Sequence, residues 1–96
     1  MRMMVTARLP VVKGSDMIKN GGLPKVVQAT LERIKPESAY FYAENGRRTM
    51  RVVFDLKAER DMVPFLEPLM MELDADLEIT PVMSIEDLQA GFAALR

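Results

Sequence analysis

The chain has 96 residues, with 13 Lys and Arg against 14 Asp and Glu for a net charge of −1, and it contains neither cysteine nor histidine. Thiol nucleophiles, disulfides, thiolate or imidazole metal sites, His-ligated haem and His-based triads are thereby excluded, and general acid–base work would fall to Asp, Glu, Lys or Tyr. The near-neutral balance offers no electrostatic footprint for nucleic acid, no apolar run approaches the roughly 20 residues of a membrane span, and 49% hydrophobic residues suffice for the core of one domain spanning residues 1–96.

Residues 2–9 alternate, with Met3, Val5, Ala7 and Leu9 on one side and Met4, Thr6 and Arg8 on the other, the pattern of a first strand that Pro10 ends. The same stretch lacks the long apolar region of a secretory signal, so a cytoplasmic location is the expectation. Residues 11–22 read as a loop in which Ser15 caps a short helical turn that Gly21 and Gly22 interrupt. The spacing then predicts a helix over 23–35. Leu23, Val26, Val27, Thr30, Leu31 and Ile34 form its apolar stripe, Pro24 suits its first turn, and Pro36 stops it.

Residues 38–55 are two strands joined by Asn45-Gly46, the dipeptide that favours a two-residue hairpin turn. Such a turn fixes the register. Glu44 opposes Arg47, Tyr42 opposes Thr49 and Tyr40 opposes Arg51 on one face; Ala43 opposes Arg48, Phe41 opposes Met50 and Ala39 opposes Val52 on the other. A second helix follows over roughly 61–73, with Met62, Phe65, Leu66, Leu69, Met70 and Leu73 as its stripe. Pro64 fits its first turn, and Pro68 in the interior should bend it or remove one hydrogen bond. Residues 76–83 alternate again, and Pro81 marks that strand as an edge. Ser84 and Asp87 form a capping-box pattern for a short tail helix. Its stripe of Ile85, Leu88, Phe92 and Leu95 would be exposed unless it reaches a partner subunit. The nine methionines read as adaptable core filler, the alternative being a Met-rich sticky surface.

The order βαββαβ predicts a four-stranded antiparallel sheet with two helices on one face. The face carrying Phe41, Met50, Val52 and Phe54 is the expected core. The reverse face mixes Met4, Thr6, Arg8, Tyr40, Tyr42 and Thr49 with Arg51, Val53, Glu78, Thr80 and Val82. It is too polar for a dry core and too aromatic for a surface that only meets water, so a second subunit, or a ligand with a subunit, is expected to cover it. A solvated face with incidental tyrosines is the plain alternative. Tyr40 and Arg51 could form only a cation–π stack, and Arg8 and Arg51 could pair with Glu44 or Glu78 for structure alone.

The segments Lys35–Phe41, Glu44–Thr49, Val53–Leu56, Glu67–Leu69 and Glu78–Met83 resemble a group of small bacterial proteins of the dimeric α+β barrel type. The resemblance covers nearly the whole chain. It implies a ferredoxin-like α+β fold with two helices on one face, a short C-terminal helix, and a homodimer built through the open sheet face. That superfamily includes cofactor-free monooxygenases, lactone isomerases, haem-degrading enzymes and stress-responsive barrels. The haem-degrading type uses His, Asn and Trp, and this chain has no His or Trp. Gly14-Ser15 does not reproduce the Gly-rich loop of acylphosphatases. RNA-binding relatives place aromatics on central strands in a basic field, whereas the tyrosines here fall on an expected edge strand in a neutral one.

Three functions fit these observations. The first is a non-catalytic homodimer holding a small organic or anionic ligand between its sheets, with Arg8, Tyr40, Tyr42, Thr49 and Arg51 as contacts and Glu78 as a balancing charge. The second is a cofactor-free isomerase or monooxygenase acting on an acidic aromatic or a lactone, with Tyr40 or Tyr42 as acid or base and the arginines as oxyanion holders. The third is an assembly module that docks another protein. No metal, cofactor, nucleic acid or membrane partner is expected, and the residue pattern does not say whether the chain is catalytic.

Overall fold

The computed structural model describes residues 1–95. In chain order the elements are β1 (Arg2–Arg8), α1 (Val11–Lys19), α2 (Gly22–Ile34), β2 (Ser38–Glu44), β3 (Arg47–Asp55), α3 (Met62–Leu73), β4 (Asp76–Pro81) and α4 (Ile85–Ala93), with a 3-10 turn over Glu59–Asp61 leading into α3. The four strands form one antiparallel sheet in the order β2-β3-β1-β4, the ferredoxin-like α+β arrangement. β2 and β4 are its edges, so the tyrosines and Pro81 sit on edge strands as their sequence context predicts.

The hairpin register follows from its turn. Asn45 (φ 52°) and Gly46 (φ 77°) both take the left-handed region, whose twist matches that of the flanking strands. All six cross-strand pairs expected from the Asn-Gly turn are present, from Glu44 opposite Arg47 to Ala39 opposite Val52. On β1 the rows Met3–Phe54, Val5–Val52 and Ala7–Met50 are buried on one face. α3 sets Phe65, Leu69 and Leu73 against them, one every four residues. The Phe65 ring meets Phe54 edge-on at 4.9 Å. α3 runs on through Pro68, whose ring nitrogen cannot donate to the carbonyl one turn earlier, so one rung of the ladder is missing.

α2 is held more loosely. Its one fully buried side chain is Thr30, whose hydroxyl donates to the Val26 carbonyl at 2.9 Å; Leu23, Val26, Leu31 and Ile34 are half-buried against the core. It ends at Lys35 in the left-handed region (φ 45°), a conformation outside the right-handed helix that Pro36 would clash with.

Two features depart from the sequence reading. Residues 11–19 form a helix rather than a loop, and Pro10, not Ser15, precedes it, its carbonyl accepting the Gly14 N–H at 2.9 Å. Two β-branched valines and a glycine give this segment weak intrinsic helicity; packing on α2 and β3 supplies what propensity does not. Phe41 lies on the predicted core face yet is 56% exposed, and its neighbour Ala43 is exposed too. The helices seat over β1 and β3, so the outer half of β2 overhangs them and only Ala39 reaches the edge of the core.

α4 begins with the expected capping box: the Ser84 hydroxyl accepts the Asp87 N–H at 3.1 Å, and the Asp87 carboxylate accepts the Ser84 N–H at 3.2 Å. Those bonds hold the Asp87 carboxyl below the usual carboxylate range. No residue of α4 is buried, and Ile85, Leu88, Phe92 and Leu95 are all exposed. An ion pair at 3.3 Å between Arg2 and Asp87 ties it to β1. The molecule measures 56 × 29 × 17 Å. Among the described residues no helix is long and apolar enough to cross a membrane.

Candidate functional site

The reverse face of the sheet carries every candidate residue. Read across β4, β1, β3 and β2, one row is Glu78, Thr6, Arg51 and Tyr40; the next is Asp76, Arg8, Thr49 and Tyr42. Period-two alternation places these side chains on one surface, and antiparallel pairing puts the rows side by side.

Arg8 is the hub. Its Nε donates to the Glu44 carboxylate at the end of β2, and its Nη1 donates to Glu78 Oε1 on β4 at 2.5 Å. The guanidinium thus crosses β3 above Thr49, which is buried beneath it, and joins both edges of the sheet to its centre. The hydrogen bonds that Arg8 donates, to Glu44 first and Glu78 second, hold it firmly in its charged form, and the one to Glu44 holds that carboxyl below its usual range. With two carboxylates on one cation, Arg8 has no charge left over for a ligand.

Arg51 is placed differently. Its Nε donates to the Thr6 hydroxyl at 3.1 Å, and its guanidinium carbon stands 5.7 Å from the centroid of the Tyr42 ring. The stacking partner is therefore Tyr42, not Tyr40 directly opposite: the long side chain reaches its diagonal neighbour, a separation that aromatic and long side chains span. Among the described residues no carboxylate forms an ion pair with Arg51. Tyr40 is 68% exposed, and Met4, Val53 and Val82, spread over the rest of the same face, are half-buried. The six candidates accordingly divide. Arg8 and Glu78 belong to a brace with Glu44, Thr49 is buried with its hydroxyl donating to the Arg47 carbonyl at 3.1 Å, and Tyr40, Tyr42 and Arg51 present unspent surface. Among the described residues no three Asp or Glu side chains come together as a metal site would require.

A second feature lies on the opposite, helix-covered side. Between the overhanging strand β2 and the N-terminal half of α2 is an apolar cavity of about 250 Å³. Leu9, Leu69 and Leu73 form its floor, Leu23 and Val27 one wall, and Phe41 the other. Arg48 also lines it, with its Nη1 3.3 Å from the Ser15 hydroxyl on α1. Sequence reasoning put Arg48 on this face, opposite Ala43, without drawing a consequence. The readable signal was an arginine on a face otherwise marked as core.

No protein-family model matches the chain, and no curated protein matches it by sequence. Among solved structures it is similar to the crystal structure of a formyltetrahydrofolate deformylase from Pseudomonas putida KT2440, with a TM-score of 0.56 and 20% identity. The match covers 85% of this chain and 29% of that one. At that identity the likeness is one of fold: the ferredoxin-like arrangement described above recurs as a minor part of a larger enzyme.

Proposed function

We propose that the chain is a homodimeric barrel, closed by two copies of the open sheet face, that holds a small organic or anionic ligand between the sheets. The observation that carries this reading is the composition of that face: two exposed tyrosines and an arginine outside any ion pair stand beside a brace in which Arg8 is engaged by two carboxylates, with Met4, Val53 and Val82 half-buried elsewhere on the same face. A face that only met water would gain nothing from exposed Tyr40 and Tyr42, and a dry interface would not leave Arg51 without a carboxylate in direct contact. An aromatic carboxylate suits these groups, since Arg51 supplies the charge and the tyrosine rings the flat contact. The exposed stripe of α4 adds a second apolar surface that a partner protomer would cover.

Catalysis finds less support. The oxyanion-holding role would need arginines free to meet developing charge, and Arg8 is committed to two carboxylates while Arg51 lies over a ring. The test has two parts. Sedimentation equilibrium at micromolar concentration should give twice the chain mass, and a monomer would refute the barrel. Calorimetric titration with salicylate should show saturable binding that Arg51→Gln weakens; a dimer that binds salicylate equally well with and without Arg51 would refute the ligand site alone.

A further inference from the structure

We propose that the helix-side cavity is a second site, one that binds a small aliphatic monocarboxylate with its chain among the leucines and its carboxylate on Arg48. The volume comes first. An apolar cavity of about 150 Å³ takes up benzene, and drug-sized sites begin near 300 Å³. At about 250 Å³ this one suits a ligand of intermediate size, such as a chain of several methylenes. Its floor is buried and its exposed lining almost wholly apolar, with Phe41 standing half-open at the rim and Tyr42, Thr49 and Met50 completing the β2–β3 side. With so little polar lining, an apolar occupant gains by leaving water and strands few polar atoms.

Arg48 sets the chemistry of the occupant. Its stem lies across α1 at Gly14, where a Cβ would come within 3.1 Å of Nη1 and 3.4 Å of Cδ. The absence of a side chain at that position lets the guanidinium rest against the helix beside the cavity. A guanidinium has five N–H donors. Here the Ser15 hydroxyl takes one at 3.3 Å, and among the described residues no carboxylate pairs with the charge. A lone cation lining an apolar pocket is costly by itself and favourable with a planar anion on its fork. One positive charge matches one carboxylate, which is why a monoanion is assigned rather than a phosphate or a dicarboxylate. The brace on the reverse face makes the contrast: Arg8 has its carboxylates built in, and Arg48 has none.

The test uses octanoate and 1-octanol titrated into the full chain, followed by calorimetry and methyl NMR. Octanoate should bind saturably, one per chain, and move the methyl signals of Leu9, Leu23, Val27, Leu69 and Leu73. Arg48→Gln should weaken octanoate by about tenfold or more, as expected for loss of a charge-assisted pair, and leave octanol within about twofold. Val27→Phe, which fills the space, should remove both; Leu23→Phe serves if that variant loses its helical circular dichroism. The proposal is overturned if the folded wild type shows no saturable octanoate binding, if Arg48→Gln binds it as tightly as wild type, or if the shifts fall on Met4, Val53 and Val82 instead. The site is independent of the barrel: a monomeric mass would end that reading and leave this one standing.

Discussion

Arg8 on β1 donates to Glu44 at the end of β2, reaching over the whole width of β3 to do so. The pair locks an edge strand that no helix covers. It also makes stability depend on pH in a definite sense. The Arg8 hydrogen bond holds the Glu44 carboxyl below its ordinary 4.5, so the unfolded chain takes up this proton at a higher pH than the folded one does. The contribution is therefore complete above about pH 5 and fades as pH falls through the folded value. In urea titrations, Glu44→Gln should be less stable than wild type at pH 7, and the gap should narrow progressively as pH falls below 4.5. A gap that stays constant over that range would mean the carboxylate contributes nothing through its charge.

Phe65 and Phe41 lie on the same side of the sheet and should respond unequally to truncation. Phe65 is 3% exposed and meets Phe54 edge-on. Phe65→Ala should cost about 3–5 kcal/mol, the range for an aromatic lost from a packed core. Phe41 is more than half exposed on an overhanging strand, so Phe41→Ala should cost less than about 1 kcal/mol. Chemical denaturation of the two variants reads the difference directly. Equal losses would mean that β2 is clamped over the helices in solution.

That contrast also marks where the sequence is legible. Alternation and an Asn-Gly turn fix which residues share a face, and every pair in the hairpin follows from them. The capping box at Ser84 and the helical stripe of Phe65, Leu69 and Leu73 are equally local signals. How far the helices extend sideways is not local. Whether Phe41 is covered depends on where α2 and α3 sit across the sheet, which no spacing within β2 encodes. α1 is hidden for a similar reason, since Val11, Val12 and Gly14 are poor helix formers and the helix is maintained by its neighbours. At the candidate site, alternation assigned all six residues to one face, but not which cation was already neutralised. Glu44 and Glu78 reach Arg8 from different strands, and the choice between Arg8 and Arg51 is made by side-chain reach.

Gly14 offers a direct probe of α1 and Arg48 together. Alanine in a helix interior is favoured over glycine by about 1 kcal/mol. At Gly14 the new Cβ would stand 3.1 Å from Arg48 Nη1, the far end of a flexible chain, which can yield by a few tenths of an ångström. Gly14→Ala should therefore stabilise the protein by up to about 1 kcal/mol in denaturant titration. A loss of stability would show that Arg48 is held rigidly against the helix.

α4 makes the last prediction. An isolated helix of nine residues is marginal in water, because nucleation is costly and few hydrogen bonds repay it. The Ser84 cap and the Arg2–Asp87 ion pair support its first turn, yet among the described residues Leu88 and Phe92 remain exposed. If a second protomer covers that stripe, as proposed above, its burial belongs to association rather than to folding of the single chain. Mass action then ties thermal stability to concentration. Wild-type protein should melt at a higher temperature at about 200 μM than at about 10 μM. The double variant Leu88→Ser, Phe92→Ser should lose most of that dependence and keep the melting temperature of the dilute wild type. A wild-type melting temperature that does not move with concentration would exclude α4 as part of a self-association surface. A double variant that melts well below the dilute wild type would place the stripe in the protomer's own core instead.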